Sequence, residues 1–424
     1  MQRCLLVVVS AAVILVAVGC ESGSDRFRAD SPVDPGAHAF ERAGNSGPES
    51  NEGTIVLLGG ADAAADPVEI LRDLGLEHLV TAISSNLARL ENLPIDLTEL
   101  ELDPRIVAVQ SNHGVVLGEP SDLTMAFFEG DVETTDLDLR PEFRPLRLAE
   151  VHREADGSGI RVAILDTGVD TVHPYLQGRL ELVDVPSLGP VQETADGIDD
   201  DGDGFVDEAY GHGSHVAGIV ATVAPGATLV PFRILSDDGV GTAYELALGL
   251  RAAIHADVDV INLSLSIGEE SNVVSALIDR ARAQGIVVVA SGGNTGAQAT
   301  YPAAYPGVMG TGATVADMTV LAEFSARGAG IALAAPGTEV LSVYPGGSWA
   351  TASGSSMSAA VVTGAMAIVG SKLGVGVLAA AEARLLRTAV AVDPDGSVEH
   401  GGVDLLEALR SPVGRPRVEL NQRR

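Results

Sequence analysis

Between Leu146 and Ala408, short runs of valine, isoleucine and leucine alternate with stretches whose apolar residues recur every three or four positions. The runs "IRVAILD", "ATLVPFRIL", "VDVINLSLS" and "IVVVASGGN" have strand length and are rich in β-branched residues. Between them, "GSHVAGIVATVA", "AYELALGLRAAIHA" and "SNVVSALIDRARAQG" carry helical periodicity. Strands apolar at nearly every position have both faces covered, so the pattern predicts an α/β fold with a doubly wound, mostly parallel sheet over residues 146–410. In such sheets reactive groups gather at the carboxyl ends of strands and in the loops beyond. The segment "SSMSAAVVTGAMAIVG" is apolar on nearly all sides and predicts a buried helix beginning near Ser356, with Gly354 freeing the backbone for a tight turn before it.

Upstream, "TIVLLGG", "DPVEILRDLGL", "HLVTAISSNLARL", "LPIDLTELEL" and "RIVAVQSN" alternate strand-like and helix-like patterns. They predict a small α+β domain over residues 54–117. Residues 20–53, rich in Gly, Pro, Ser and charge, have no apolar period and are expected to form a flexible linker. Residues 118–145, acidic and irregular, form a second, and residues 411–424 a tail.

At the start of the chain, Arg3 precedes an apolar run from Leu5 to Val18, too short to span a bilayer comfortably. Residues 1–19 therefore read as a secretory signal. The ending "AVGC" is similar to a bacterial lipobox, which implies cleavage before Cys20 and a lipid on its thiol; an ordinary signal peptide cut nearby is the alternative. Either implies export, to a membrane-anchored or an extracellular location. Cys4 would leave with the signal, and Cys20 would be blocked by lipid, so no disulfide is expected in an oxidising compartment. Something else must tie down long surface loops.

Charge narrows the partners. The 424 residues carry a net charge of -32, so the field of the whole chain repels polyanions and argues against nucleic acid. Much of the acid excess is expected to be solvated surface, except where carboxylates fall at ligand spacing. In "DGIDDDGDGFVDEAYGHGSHVAG", Asp199, Asp201, Asp203, the Phe205 carbonyl and Asp207 follow the alternating spacing that wraps oxygens round a hard cation. The twelfth position of an EF-hand loop is here Tyr210, so the closing glutamate is missing. Structural calcium is the expectation, a solvated acidic loop the alternative.

Three segments carry candidate chemistry. Asp166 ends the strand "RVAIL" and should emerge at the carboxyl edge of the sheet, although a lone Asp-Thr-Gly is more often a turn. His212 opens an apolar helix, with His215 one turn on. Zinc would need a third ligand and usually a His-Glu-x-x-His frame, which is absent; His215 is expected to be a packed, hydrogen-bonded helix residue. Ser356 is either a helix cap or a nucleophile facing the positive end of the helix dipole.

Taken together, "LDTGVD", "GHGSHVAG" and "SGSSMSAA", in that order, resemble the subtilisin-like serine proteases. "VINLSLS", "VVVASGGNTG" and "AEFSARGAGIALAAPGTEVLSV" extend the resemblance over essentially all of residues 146–410. It implies a serine endopeptidase acting on polypeptides through Asp166, His212 and Ser356, with no cofactor required for the chemistry. Asn294 and the Ser356 N–H are the implied oxyanion donors. Gly239, Val240 and Gly241, and Ser264, Leu265 and Ser266, are implied to pair with an extended substrate backbone. Ser291, Gly292 and Gly293 would form the far wall of an open, uncharged specificity pocket. Ser266 stands where the family usually has glycine, and so is expected to crowd the substrate. The domain over 54–117 is similar to the subtilisin propeptide, implying autoprocessing somewhere between about Gly114 and Leu146. The chain's partners would then be its substrates, its own propeptide and, if Cys20 is lipidated, a membrane; a monomer is expected. The alternative class is a catalytically inactive cell-surface binding protein of the same fold. A Ser-His-Asp esterase of the α/β-hydrolase type is disfavoured by the chain order and by the missing second glycine of its nucleophile elbow.

Overall fold

The computed structural model describes residues 53–58, 66–84, 86–92, 97–100, 103–117, 126–128, 140–374, 376–393 and 396–411. Residues 1–19, expected to be a signal, Cys20, nearly all of the expected first linker, most of the second and the tail beyond Ser411 lie outside the described residues.

The small N-terminal unit comprises strands β1 (Thr54–Leu58), β2 (Val80–Ser84), β3 (Leu87–Leu90) and β4 (Ile106–Ser111) with short helices α1 (Pro67–Asp73) and α2 (Leu97–Leu100). Its sheet is antiparallel in the order β2-β3-β1-β4. "HLVTAISSNLARL", expected as one strand, is a hairpin of two, β2 ending at Ser84 and β3 beginning at Leu87, with polar sequence between the apolar arms. Val56, Leu58, Leu71, Leu90 and Val109 form this unit's own core.

Among the described residues, six short strands belong neither to the small unit's sheet nor to the main sheet. β5 (Gly114–Val116) follows the small unit directly, and β6 (Ala126–Phe128) falls within the expected second linker. β6 is not loose: it pairs with β16 (Ser348–Ala352), itself antiparallel to β15 (Val340–Tyr344).

The main sheet has seven parallel strands: β7 (Arg161–Asp166), β8 (Thr228–Arg233), β10 (Val260–Leu263), β12 (Val287–Ser291), β13 (Met309–Thr314), β14 (Leu333–Pro336) and β17 (Gly401–Gly402). Their order is β17-β14-β13-β12-β10-β7-β8. Alternate residues of each central strand enter different cores. Val162, Ile164, Val260, Val287 and Val289 pack on one face, while Ala163, Leu165, Ile261, Leu263 and Val288 pack on the other. This is why the strands read as unbroken apolar runs.

The first face is covered by helices α4 (His212–Val223), α7 (Ser355–Leu373), α8 (Leu378–Thr388) and α9 (Leu405–Arg410), with α3 (Leu148–Val151) beside them. The second is covered by α5 (Ala243–His255) and α6 (Asn272–Ala283). The sheet is therefore doubly wound, as the alternation of patterns predicts. α7 is long and apolar enough to cross a membrane, but it is the buried central helix of the domain.

The predicted strand "VDVINLSLS" is divided. Its first half is β10 of the main sheet; its end, β11 (Ser266–Ile267), leaves that sheet and forms another with β5 and β9 (Val240–Thr242).

Candidate active site

β7 delivers Asp166 to the carboxyl edge of the sheet, where its Oδ1 accepts the N–H of Thr167 at 2.8 Å and lies 2.7 Å from His212 Nδ1. Both side chains are buried. A carboxylate is acceptor-only, so Nδ1 carries the proton in this bond and the tautomer is set. His212 opens α4, and two glycines allow the approach. Gly211 has φ 95°, and a Cβ there would lie 2.2 Å from the Tyr344 ring. A Cβ on Gly213 would lie 2.0 Å from the carbonyl oxygen of Gly168.

His215 is scaffold, as expected. Its Nε2 donates to the carbonyls of Val340 (3.0 Å) and Ala350 (3.1 Å), and burial holds its pKa down at about 3, so it stays neutral.

Ser356 sits in the first turn of α7, with Oγ 3.4 Å from the Ser264 carbonyl. Ser264 Oγ in turn donates to the Ser356 carbonyl at 3.1 Å and accepts from Asn262 Nδ2 at 2.9 Å. These bonds lock the wall after β10 to the start of the helix. Gly354, expected to supply a tight turn, has φ 164°, an extended backbone open to any residue. Its N–H donates to the Gly337 carbonyl at 2.8 Å, continuing strand-like pairing up to the helix.

Asn294 Oδ1 accepts the Ser355 N–H at 2.8 Å, which fixes the amide so that its donor end points away from that bond. Ser355 Oγ accepts the Gly293 N–H at 3.1 Å. The loop after β12 and the start of α7 are therefore cross-linked on both sides of the serine.

Glu193, which sequence reasoning missed, is buried beside this centre. Its Oε1 accepts from Thr167 Oγ1 at 2.5 Å and the Gly211 N–H at 3.0 Å, and its Oε2 accepts from the N–H and hydroxyl of Ser214. Burial pushes its pKa up to about 7, against the pull of those hydroxyls. "PVQETADG" has no apolar period and offers no sign that its glutamate is internal.

The expected substrate-binding edges face one another across a gap that the chain itself fills. β5 lies antiparallel to both β9 and β11, with Val116 opposite Val240 and Ser266, and Val115 opposite Gly241 and Ile267. The Leu117 N–H donates to the Gly239 carbonyl at 2.9 Å. Ser266 does not crowd this strand: its hydroxyl turns away to Thr300 Oγ1 at 2.9 Å. On the far wall, Ser291 Oγ donates to the Leu265 carbonyl at 3.2 Å, joining the two sides.

The acidic loop separates into two groups. Asp199, Asp201 and Asp203 converge, with one carboxylate oxygen of each within 4.8 Å of the others. Asp207 is turned elsewhere: its carboxylate accepts the N–H groups of Asp196 and Gly197. The Phe205 ring is exposed, and its N–H donates to Asp203 Oδ1 at 2.8 Å. A second group joins Asp196 and Asp200 to Asp237, which the spacing within the loop could not reveal because Asp237 arrives from the segment after β8.

A parallel sheet bearing a buried Asp-His pair at its carboxyl edge, with a serine at the start of its central helix, defines the class of serine hydrolases on α/β scaffolds. The family model described as "Subtilase family" matches residues 157–406. The chain is 34% identical over 292 residues to an "Alkaline protease" of Alkalihalobacillus alcalophilus, covering 66% of this chain and 67% of that protein. It is 37% identical over 231 residues to "Subtilisin BL" of Lederbergia lenta, covering 52% and 80%. The chain belongs to the subtilase family, and it is a serine endopeptidase of the subtilisin type acting on polypeptides. Its fold is similar to that of fervidolysin from Fervidobacterium pennivorans, with a TM-score of 0.67, 21% identity and coverage of 87% of this chain and 63% of that one.

Proposed function

We propose that the chain is an exported, self-processing endopeptidase in which Ser356 is the nucleophile, His212 the general base and acid, and Asp166 its orienting partner. The buried 2.7 Å bond between Asp166 Oδ1 and His212 Nδ1 carries this assignment. A serine hydroxyl is a weak nucleophile near neutral pH, so His212 takes its proton as Oγ adds to the scissile carbonyl. The C–N bond then breaks, His212 protonates the departing amine, and water hydrolyses the resulting ester by the reverse proton path. Asp166 stabilises the imidazolium and holds the tautomer. The Asn294 amide and the Ser356 N–H receive the charge developing on the carbonyl oxygen.

The unit over residues 54–117 acts as the propeptide, which the seat of β5 between β9 and β11 supports. Asp199, Asp201 and Asp203 hold a structural calcium ion; three carboxylates at one point suit a hard cation, and the chemistry needs none. A lipid on Cys20 anchors the chain to a membrane until processing separates the catalytic domain from it.

Expression without residues 1–19, beside Ser356→Ala, tests the assignment with an active-site serine probe and N-terminal sequencing. The wild type labels and is shortened, and the variant does neither. Equal labelling of both, or identical processing of both as isolated proteins, overturns it.

A further inference from the structure

Asp166 ends β7 and His212 begins α4, so the two reach each other from different elements. One buried carboxyl from a third segment, Glu193, touches the chain beside both. Its segment is laid along the residues leaving β7. The Val169 N–H donates to the Val191 carbonyl at 3.0 Å, the Glu193 N–H returns to the Val169 carbonyl at 3.2 Å, and Gln192 Oε1 accepts the Thr171 N–H at 3.1 Å. Gly168 permits the approach, with φ 110° and a hypothetical Cβ only 2.6 Å from the Val191 carbonyl oxygen.

Four donors meet the two Glu193 oxygens, the full capacity of a carboxylate: the Thr167 hydroxyl, the Gly211 N–H, and the N–H and hydroxyl of Ser214. Those donors surround the catalytic pair. Thr167 follows Asp166, and its own N–H donates to Asp166 Oδ1, the oxygen that lies 2.7 Å from His212 Nδ1. Gly211 precedes His212, and Ser214 lies just beyond Gly213. Gly213 in turn donates its N–H to Thr167 Oγ1 at 3.0 Å, and Ser214 Oγ accepts the Asp170 N–H at 2.7 Å. The Gly211, Gly213 and Ser214 N–H groups thus end on Glu193 or on the hydroxyl that it holds. The imidazole must stay aligned with Asp166 through two proton transfers, and a misplacement of about 1 Å costs up to about 10²-fold in rate.

Resting on the protease function above, we propose that Glu193 is a positioning residue for that reaction: through Thr167 and the backbone on either side of His212, it sets the distance and angle between Asp166 and His212. It touches no reacting atom. Its effect is on how often the imidazole is in line to take the serine proton.

The test uses the chain lacking residues 1–19, left to process itself, with competent sites counted by an active-site serine probe before peptide hydrolysis is measured. Thr167→Val removes the hydroxyl and keeps the N–H on Asp166. It should lower kcat about 10–10²-fold with KM little changed, and Thr167→Ser should restore most of the loss. Glu193→Ala, which also frees Gly211 and Ser214, should lose at least as much. The double variant Thr167→Val, Glu193→Ala should be no slower than Glu193→Ala, because both changes break one linkage. Thr222→Val strips a buried hydroxyl from α4 at Gly218 and Tyr175, away from the pair, and should melt earlier with kcat unchanged. The two Thr167 variants decide the matter even where Glu193→Ala yields no folded protein. Earlier melting with wild-type kcat in Thr167→Val, a rise in KM with kcat intact, or fully multiplied losses in the double variant overturns the inference while leaving the protease assignment standing. A wild type that neither takes the probe nor cleaves removes the assignment itself.

Discussion

The Thr167 hydroxyl donates to Glu193 Oε1 at 2.5 Å, placing a second buried carboxyl one residue from Asp166. Burial raises the Glu193 pKa to about 7, above the ordinary glutamate value of 4.5. A carboxyl with a raised folded-state pKa stabilises most below its unfolded pKa, and that stabilisation is lost as pH rises through the folded value. Glu193 is therefore expected to make stability fall between about pH 4.5 and 7, by on the order of 3 kcal/mol. Glu193→Gln keeps the acceptor for Thr167 and cannot ionise. Denaturant melts of both forms across this range should differ in slope with pH; parallel curves would exclude the role.

In the proposed mechanism Asn294 has two tasks that can be separated. Its Oδ1 holds the Ser355 N–H at 2.8 Å, and its amide nitrogen is assigned to the oxyanion. Asn294→Asp retains an acceptor for Ser355 and loses the donor. Peptide hydrolysis by that variant should show kcat lowered about 10²–10³-fold with KM little changed, the loss known for subtilisin's own oxyanion asparagine. Asn294→Leu should lose activity similarly and also melt earlier, because a buried N–H is left unpaired at about 1–3 kcal/mol. A proportional rise in KM with kcat intact would assign Asn294 to substrate binding instead.

The sheet was legible because its strands are covered on both faces, so that Val162 to Leu165 and Val287 to Ala290 are apolar at every position. Asp166, His212 and Ser356 were legible because each ends or begins an element that apolar periodicity marks. What could not be read is what arises between segments distant in sequence. Val116 finds Ser266 and Val240, Asp196 finds Asp237, and Glu193 finds Thr167 and Ser214 only after folding. Thr300 is similar: nothing local in "AQATYP" says that its methyl and hydroxyl stand over Gly292 and Gly293.

The convergence of Asp199, Asp201 and Asp203 predicts a calcium-dependent melt. Three carboxylates within one site repel one another unless a cation lies between them. Chelation by EGTA should lower the melting temperature, and millimolar calcium should restore it. The triple variant Asp199→Asn, Asp201→Asn, Asp203→Asn should melt identically with and without the ion. Because seven residues, Gly204 to Tyr210, join Asp203 to the Gly211 that precedes His212, chelation should also slow peptide hydrolysis. A calcium response that survives in the triple variant would move the ion to another site, with Asp196, Asp200 and Asp237 the next to neutralise.

Gln110, near the end of β4, is one of the side chains through which the small unit holds the catalytic domain near β5. Its Oε1 accepts from Ser271 Oγ at 2.6 Å and from the Val273 N–H at 3.0 Å, capping the first turn of α6. Both donors are buried, so removing the acceptor strands them at a cost of about 1–3 kcal/mol. Asn112 makes the parallel contact on α5, its Oδ1 accepting the Tyr244 N–H at 3.1 Å. In the uncut Ser356→Ala background, Gln110→Ala should weaken docking of residues 54–117, so amides of β5 should exchange with solvent faster while the main sheet stays protected. Gln110→Glu keeps the acceptor and should preserve most of the protection. Equal exchange in all three forms would mean that the β5 pairing holds the unit in place without this cap.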